Sequence, residues 1–209
     1  MHDTYDPNPG TREERLFCIA TDQDGFFTTE QAHSCGYSDR LLSYHTRTGR
    51  FERSRRGVYR LHRFPTGMDA SIESAVLAIG KDLAVVSHES ALALHDLADV
   101  IPHTVHLTVP RTHRYLRSDR DIQLHTANLK PTDIMRFPDK FFRVTTVARS
   151  IVDAARDLVG LEQIEMATQQ ALQRQVASPQ ELVSAALNTD QYVRSIIENM
   201  IASYENRSK

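Results

Sequence analysis

The sequence predicts an α+β protein: an N-terminal winged helix-turn-helix domain, then a mixed α/β domain with a small sheet and a helical C-terminal end. Three observations carry this. Between residues 25 and 61, two short helix signals separated by Gly36 precede an arginine-loaded β-hairpin signal. Beyond residue 68, short apolar or alternating runs of strand type are interleaved with helix starts. From residue 146 onward the apolar pattern is helical throughout. A chain of 209 residues with 40% hydrophobic and 25% charged side chains can bury a real core in one large or two small domains. The expected organisation is a flexible tail over 1–10, the winged helix over 11–63, a linker over 64–68 and the α/β domain over 69–209.

Residues 1–10 have no periodicity. Thr11 and Glu14 form a capping box for a helix whose buried face is Leu16, Phe17, Ile19 and Ala20; the run 22–25 (Asp-Gln-Asp-Gly) stops it. Phe26-Phe27 suits a short strand, and Thr28 with Gln31 is a second capping box. That helix ends at Gly36, and Ser38 caps the next, expected over 39–48. At 100° per residue Leu41, Leu42 and His45 share one side of it, while Arg40, Ser43, Tyr44 and Arg47 share the other. Gly49 closes it, and Phe51 and Val58 flank the hairpin turn 54–57.

Proline and glycine mark 62–67 as a connection. Asp69 opens a helix carrying Ile72, Ala75, Val76 and Ile79 and ending at Gly80. The apolar run 83–86 suits a buried strand, and Ser87 caps a helix reaching about Ala98. Val105, Leu107 and Val109 alternate with polar residues as a half-buried strand; Ile122 with Leu124, and 142–144, suggest two more. Val147, Ile151, Ala155 and Leu158 form the first helical stripe of the C-terminal part, and Leu161, Ile164, Ala171 and Leu172 the next. Ser178, Pro179 and Glu181 give a strong helix start. Val193, Ile196, Ile197, Met200, Ile201 and Tyr204 mark the last helix.

Charge distribution points to a partner. The chain carries a formal −2, yet residues 39–63 hold eight arginines, no lysine and only Asp39 and Glu52 as acids, an excess of +6. Arg40, Ser43, Tyr44 and Arg47 at i, i+3, i+4, i+7 make one helix face that suits a DNA major groove. Arg50, Arg53, Arg55, Arg56 and Arg60 fall where a wing would hold phosphate or enter the minor groove. Arg111, Arg114, Arg117 and Arg120 form a second basic group, on the connection between two strands, which fits a solvated loop as well as a contact.

Other chemistries find little support. His103 and His106 are three apart, which on a strand means opposite faces; His88 and His95 lack the HExxH spacing; so no metal or cofactor is expected. Ser87-His88 is better explained by helix capping than by a nucleophile and base, and no catalytic residue is assigned. Asp119 and Asp121 come nearest to the acidic pair of a metal-dependent nuclease, without the accompanying lysine. Two cysteines in helical segments, no signal peptide and no membrane-spanning apolar run make the cytoplasm the expected location.

Gly25-Phe26-Phe27-Thr28-Thr29, Gly36-Tyr37-Ser38, Gly49-Arg50-Phe51-Glu52-Arg53 and Arg56-Gly57-Val58-Tyr59-Arg60-Leu61 resemble the winged helix of AbiEi-type antitoxins. Ser87-His88-Glu89-Ser90-Ala91-Leu92, Val105-His106-Leu107-Thr108-Val109-Pro110 and 143–153 (R-V-T-T-V-A-R-S-I-V-D) look like that family's second domain. The resemblance implies a bacterial toxin–antitoxin pair with a nucleotidyltransferase-like toxin. It implies a winged helix that represses the operon by binding inverted repeats in its own promoter, a second domain that carries antitoxicity, and no enzyme activity. The alternatives are a metal-dependent nuclease with a winged-helix targeting domain and a ligand-responsive transcriptional regulator.

Overall fold

A computed structural model describes residues 10–99, 101–157 and 160–207. The expected tail, except Gly10, and Leu158 of the first C-terminal stripe lie outside the described residues. The chain forms two compact units. The first comprises residues 1–81 with 138–141, the second 82–137 with 142–209.

In the first unit, α1 (Arg12–Thr21) begins at the Thr11–Glu14 capping box, in which both reciprocal bonds form. β1 (Phe26–Thr28) leads into α2 (Thr29–Ser34), whose Thr28–Gln31 box also closes. α3 (Asp39–Arg47) starts where the Ser38 hydroxyl accepts the Leu41 amide. β2 (Phe51–Arg55) and β3 (Val58–Leu61) make the hairpin, and β1 joins it to give an antiparallel sheet of order β1-β3-β2. The turn is tighter than expected. β2 runs on to Arg55 through a bulge between Arg53 and Arg55, leaving Arg56 and Gly57, at φ 77°, to reverse the chain.

Phe27 is the centre of the core, with Phe51 edge-on at 5.0 Å and Tyr59 stacked at 5.8 Å. Gly25 enters β1 at φ 89°, and a Cβ there would stand 2.5 Å from Cβ of Phe64. The expected domain boundary at 64–68 needs correction. α4 (Ala70–Ile79) belongs to the first unit, because Leu77 packs with Phe26 and Val58, and Phe141 joins the same cluster. The expected Asp69 cap makes no capping bond.

The second unit is built on a mixed five-stranded sheet of order β6-β5-β4-β8-β7. Its strands are β4 (Val85–Val86), β5 (Val105–Val109), β6 (Ile122–Thr126), β7 (Ile134–Arg136) and β8 (Arg143–Thr145). β7 was not expected; its sequence Ile-Met-Arg is too short for a period to register. α5 (His88–Leu94) follows β4, and is shorter than expected because Asp96 and Ala98 turn left-handed. α6 (Val147–Arg156), α7 (Leu161–Gln173), α8 (Pro179–Ala186) and α9 (Gln191–Arg207) form the helical end. Their core runs from Leu92 and Leu97 through Ile151, Ile164 and Leu182 to Ile197 and Ile201. The 143–153 motif is structural. Thr145 and Ser150 share a hydrogen bond of 2.7 Å at the β8–α6 turn, and Arg149 clasps buried Asp153 one turn on. The protein is thus α+β, with a small sheet and a helical end in the second unit.

Candidate nucleic-acid interface

α3 is held against the first unit by Leu42 and His45. His45 sits among Tyr37, Tyr44 and Phe51, where burial first and the Arg50 charge second lower its pKa. With that side turned inward, the opposite face emerges: Arg40, Ser43, Tyr44 and Arg47 are all exposed. Ser38 at the N-cap fixes where α3 begins, and so which four side chains share the outer face.

The wing arginines divide into three groups. Arg53 and Arg56 point into solvent. Among the described residues, no carboxylate pairs with Arg40, Arg47, Arg53 or Arg56. Arg50 is exposed and pairs with Glu13 at 3.3 Å. Arg55 turns toward α4, its Nε donating to the Ser74 hydroxyl at 2.9 Å and its Nη2 to the Ser71 carbonyl at 3.3 Å. Arg60 is only 8% exposed. It donates to the Phe64 carbonyl and the Glu52 carboxylate, both at 3.0 Å, with its guanidinium over the Phe26 ring. Strand parity explains this, since Arg60 shares a face of β3 with buried Val58. Charge counting alone groups Arg55 and Arg60 with the outward arginines; the parity of β3 turns Arg60 inward and the packing of α4 engages Arg55.

Residues 14–62, the stretch that carries this face, match the model of a family described as transcriptional regulator, AbiEi antitoxin. Over that stretch the first unit is similar to the AbiEi antitoxin family of transcriptional regulators. Over the whole fold the chain is similar to the crystal structure of RV2827C protein from Mycobacterium tuberculosis. That likeness has a TM-score of 0.64 at 12% identity, and covers 95% of this chain and 79% of that one. No curated protein sequence matches. The first unit thus presents four exposed α3 side chains and two outward wing arginines, and no helix among the described residues is long and apolar enough to cross a membrane.

The second unit departs from expectation at its histidines. Ser87 makes no capping bond; its hydroxyl meets His88 Nδ1 at 2.9 Å and accepts from Thr108 at 2.8 Å. His88 stacks on His125 with ring centres 3.6 Å apart, and His106 Nδ1 lies 3.1 Å from His125 Nε2. Burial lowers the pKa of all three rings, pushing His88 down to about 2, with the neighbouring His125 and His106 adding to the effect on His88. The argument that His103 and His106 face opposite ways missed this, because the partners of His106 come from β6 and α5 rather than from its own strand. Parallel pairing sets Thr108 opposite His125 and His106 opposite Gln123, so His106 and His125 are diagonal neighbours on one sheet face. Asp119 and Asp121 lie exposed at the approach to β6, and Arg111, Arg114, Arg117 and Arg120 on the exposed connection before it.

Proposed function

We propose that this chain is an AbiEi-type regulator that binds double-stranded DNA in its own promoter and represses a two-gene operon in which it is the antitoxin. The observation that carries the reading is the exposed face Arg40, Ser43, Tyr44 and Arg47, flanked by Arg53 and Arg56 and opposed by no carboxylate among the described residues. Guanidinium groups on such a face pair bidentately with guanine edges and phosphates. Arg50 adds a phosphate contact once its exposed pair with Glu13 opens, which costs little. Arg55 and Arg60 act through the fold: they brace the wing that carries Arg53 and Arg56.

Antitoxicity is assigned to the second unit, against a nucleotidyltransferase-like toxin, on the strength of the family resemblance. Inverted repeats in the promoter would follow from two copies of the winged helix on one operator. The test is a gel shift on the fragment upstream of the coding sequence, with wild type, Arg40→Ala/Arg47→Ala and Arg53→Ala/Arg56→Ala. Both double variants should weaken binding at least ~10-fold, since each lost phosphate or base contact contributes about 1 kcal/mol or more. Unchanged binding by both would remove the interface. Including magnesium or manganese separates the nuclease alternative, because a repressor leaves the fragment intact.

A further inference from the structure

We propose that His88, His106 and His125 bind one transition-metal dication of the zinc class in the second unit. Their ligating nitrogens lie within 4.8 Å of one another. They come from three elements that meet: the start of α5, the middle of β5 and the end of β6.

Orientation strengthens the assignment. On each ring one nitrogen is engaged from outside the cluster. His88 Nδ1 meets Ser87, His106 Nε2 meets the Thr104 hydroxyl at 3.2 Å with Glu89 at 3.7 Å, and His125 Nδ1 meets Asp157 at 3.3 Å. The other nitrogens, His88 Nε2, His106 Nδ1 and His125 Nε2, remain for a metal. Metal-bound imidazoles use their second nitrogen in this way, on a hydroxyl, carbonyl or carboxylate that fixes the tautomer. A tetrahedral zinc with bonds of about 2.0–2.1 Å needs ligand nitrogens roughly 3.3 Å apart. His106 and His125 stand at 3.1 Å, and the His88 nitrogen lies within 4.8 Å of both.

The backbone agrees. His88 adopts φ 53°, a left-handed conformation that costs a non-glycine residue on the order of 1 kcal/mol, and its ring lies against those of His106 and His125. Three imidazoles and no thiolate favour zinc, nickel or copper over calcium or magnesium. Asp157, 3.7 Å from His88 Nε2, borders the fourth position. The bound ion would tie α5 to β5 and β6 independently of the winged helix.

The test uses the untagged full-length chain, stripped with a chelator and titrated with zinc alone by calorimetry. One equivalent should bind. His106→Gln and His125→Gln should each weaken it by more than ~100-fold, and Asp157→Asn, which weakens the carboxylate partner of His125 Nδ1, by about 10-fold. X-ray absorption at the zinc edge of the wild-type complex should count three imidazole ligands, which keeps the proposal testable if a variant misfolds. A folded wild type that takes up no stoichiometric zinc would overturn the site. So would equal binding by a His106→Gln/His125→Gln double variant, or fewer than three imidazoles at the metal.

Discussion

Arg60 donates to the Phe64 carbonyl and to Glu52 from a nearly closed position, so its removal acts on stability first. Arg60→Ala is expected to cost about 2 kcal/mol in urea unfolding, the scale of charged hydrogen bonds lost with one partner left behind. Arg47→Ala, on the exposed face of α3, should stay within about 0.5 kcal/mol. Equal losses would mean that both side chains face solvent alike. Gly25→Ala should cost more than about 1 kcal/mol, since its positive φ and the nearby Phe64 Cβ both oppose a methyl. At this scale the sequence told its reader where the arginines were but not which way each pointed. The helix face was legible because a 3.6-residue period needs no partner strand. The inward turn of Arg60 required the parity of β3, and that of Arg55 required knowing that α4 packs there.

At the scale of elements, the first unit is closed by an ion cluster that no local pattern announced. Lys140 lies 2.6 Å from Glu73, 3.2 Å from Asp69 and 3.7 Å from Asp24, joining 138–141 to α4 and to the approach to β1. One ammonium stands among three carboxylates, of which only Glu73 is buried. Burial therefore raises Glu73 to about 7, with Asp24 adding to it, while Lys140 is held further toward its charged form by the acids. The raised carboxyl favours the folded state fully below its ordinary pKa of 4.5, and that contribution is lost as pH rises through about 7. Glu73→Gln, which keeps an acceptor for Lys140 but cannot ionise, should gain stability relative to wild type between pH 5 and pH 8, by roughly 2 kcal/mol. Thermal unfolding at the two pH values checks this, and a pH-independent difference would contradict it. Helix starts, by contrast, were plain: Thr11–Glu14, Thr28–Gln31 and Ser178–Glu181 all close as capping boxes, because a cap is written within four residues. The histidine cluster was not legible for the opposite reason. It depends on the sheet order and on the register of β5 with β6, which bring His125 to His106 and His88, 19 and 37 positions earlier in the chain.

For the whole molecule, the division into two units separates the two roles proposed for it. The exposed α3 face lies in the first unit, and the helical core of α6 to α9 in the second. A full-length Arg40→Ala/Arg47→Ala variant should therefore lose repression of a promoter–reporter fusion while still rescuing cells that express the cognate toxin. Loss of rescue by a variant that remains folded would place antitoxicity in the winged helix. The boundary itself was misplaced by one helix in the sequence reading. Asp69 and the apolar face after it look like the start of a new domain, and only the contact of Leu77 with Phe26 and Val58 assigns α4 to the first.

The central claim is that exposed arginines of α3 and the wing bind DNA, and the salt dependence of binding tests it most directly. Fluorescence anisotropy on the upstream fragment should show affinity falling about 500-fold between 50 and 200 mM salt if five arginines neutralise phosphates. For Arg40→Ala/Arg47→Ala the slope of log affinity against log salt should flatten by about 1 for each lost phosphate contact. Binding with no salt dependence, or a slope unchanged by removing Arg40, Arg47, Arg53 and Arg56 together, would contradict the interface.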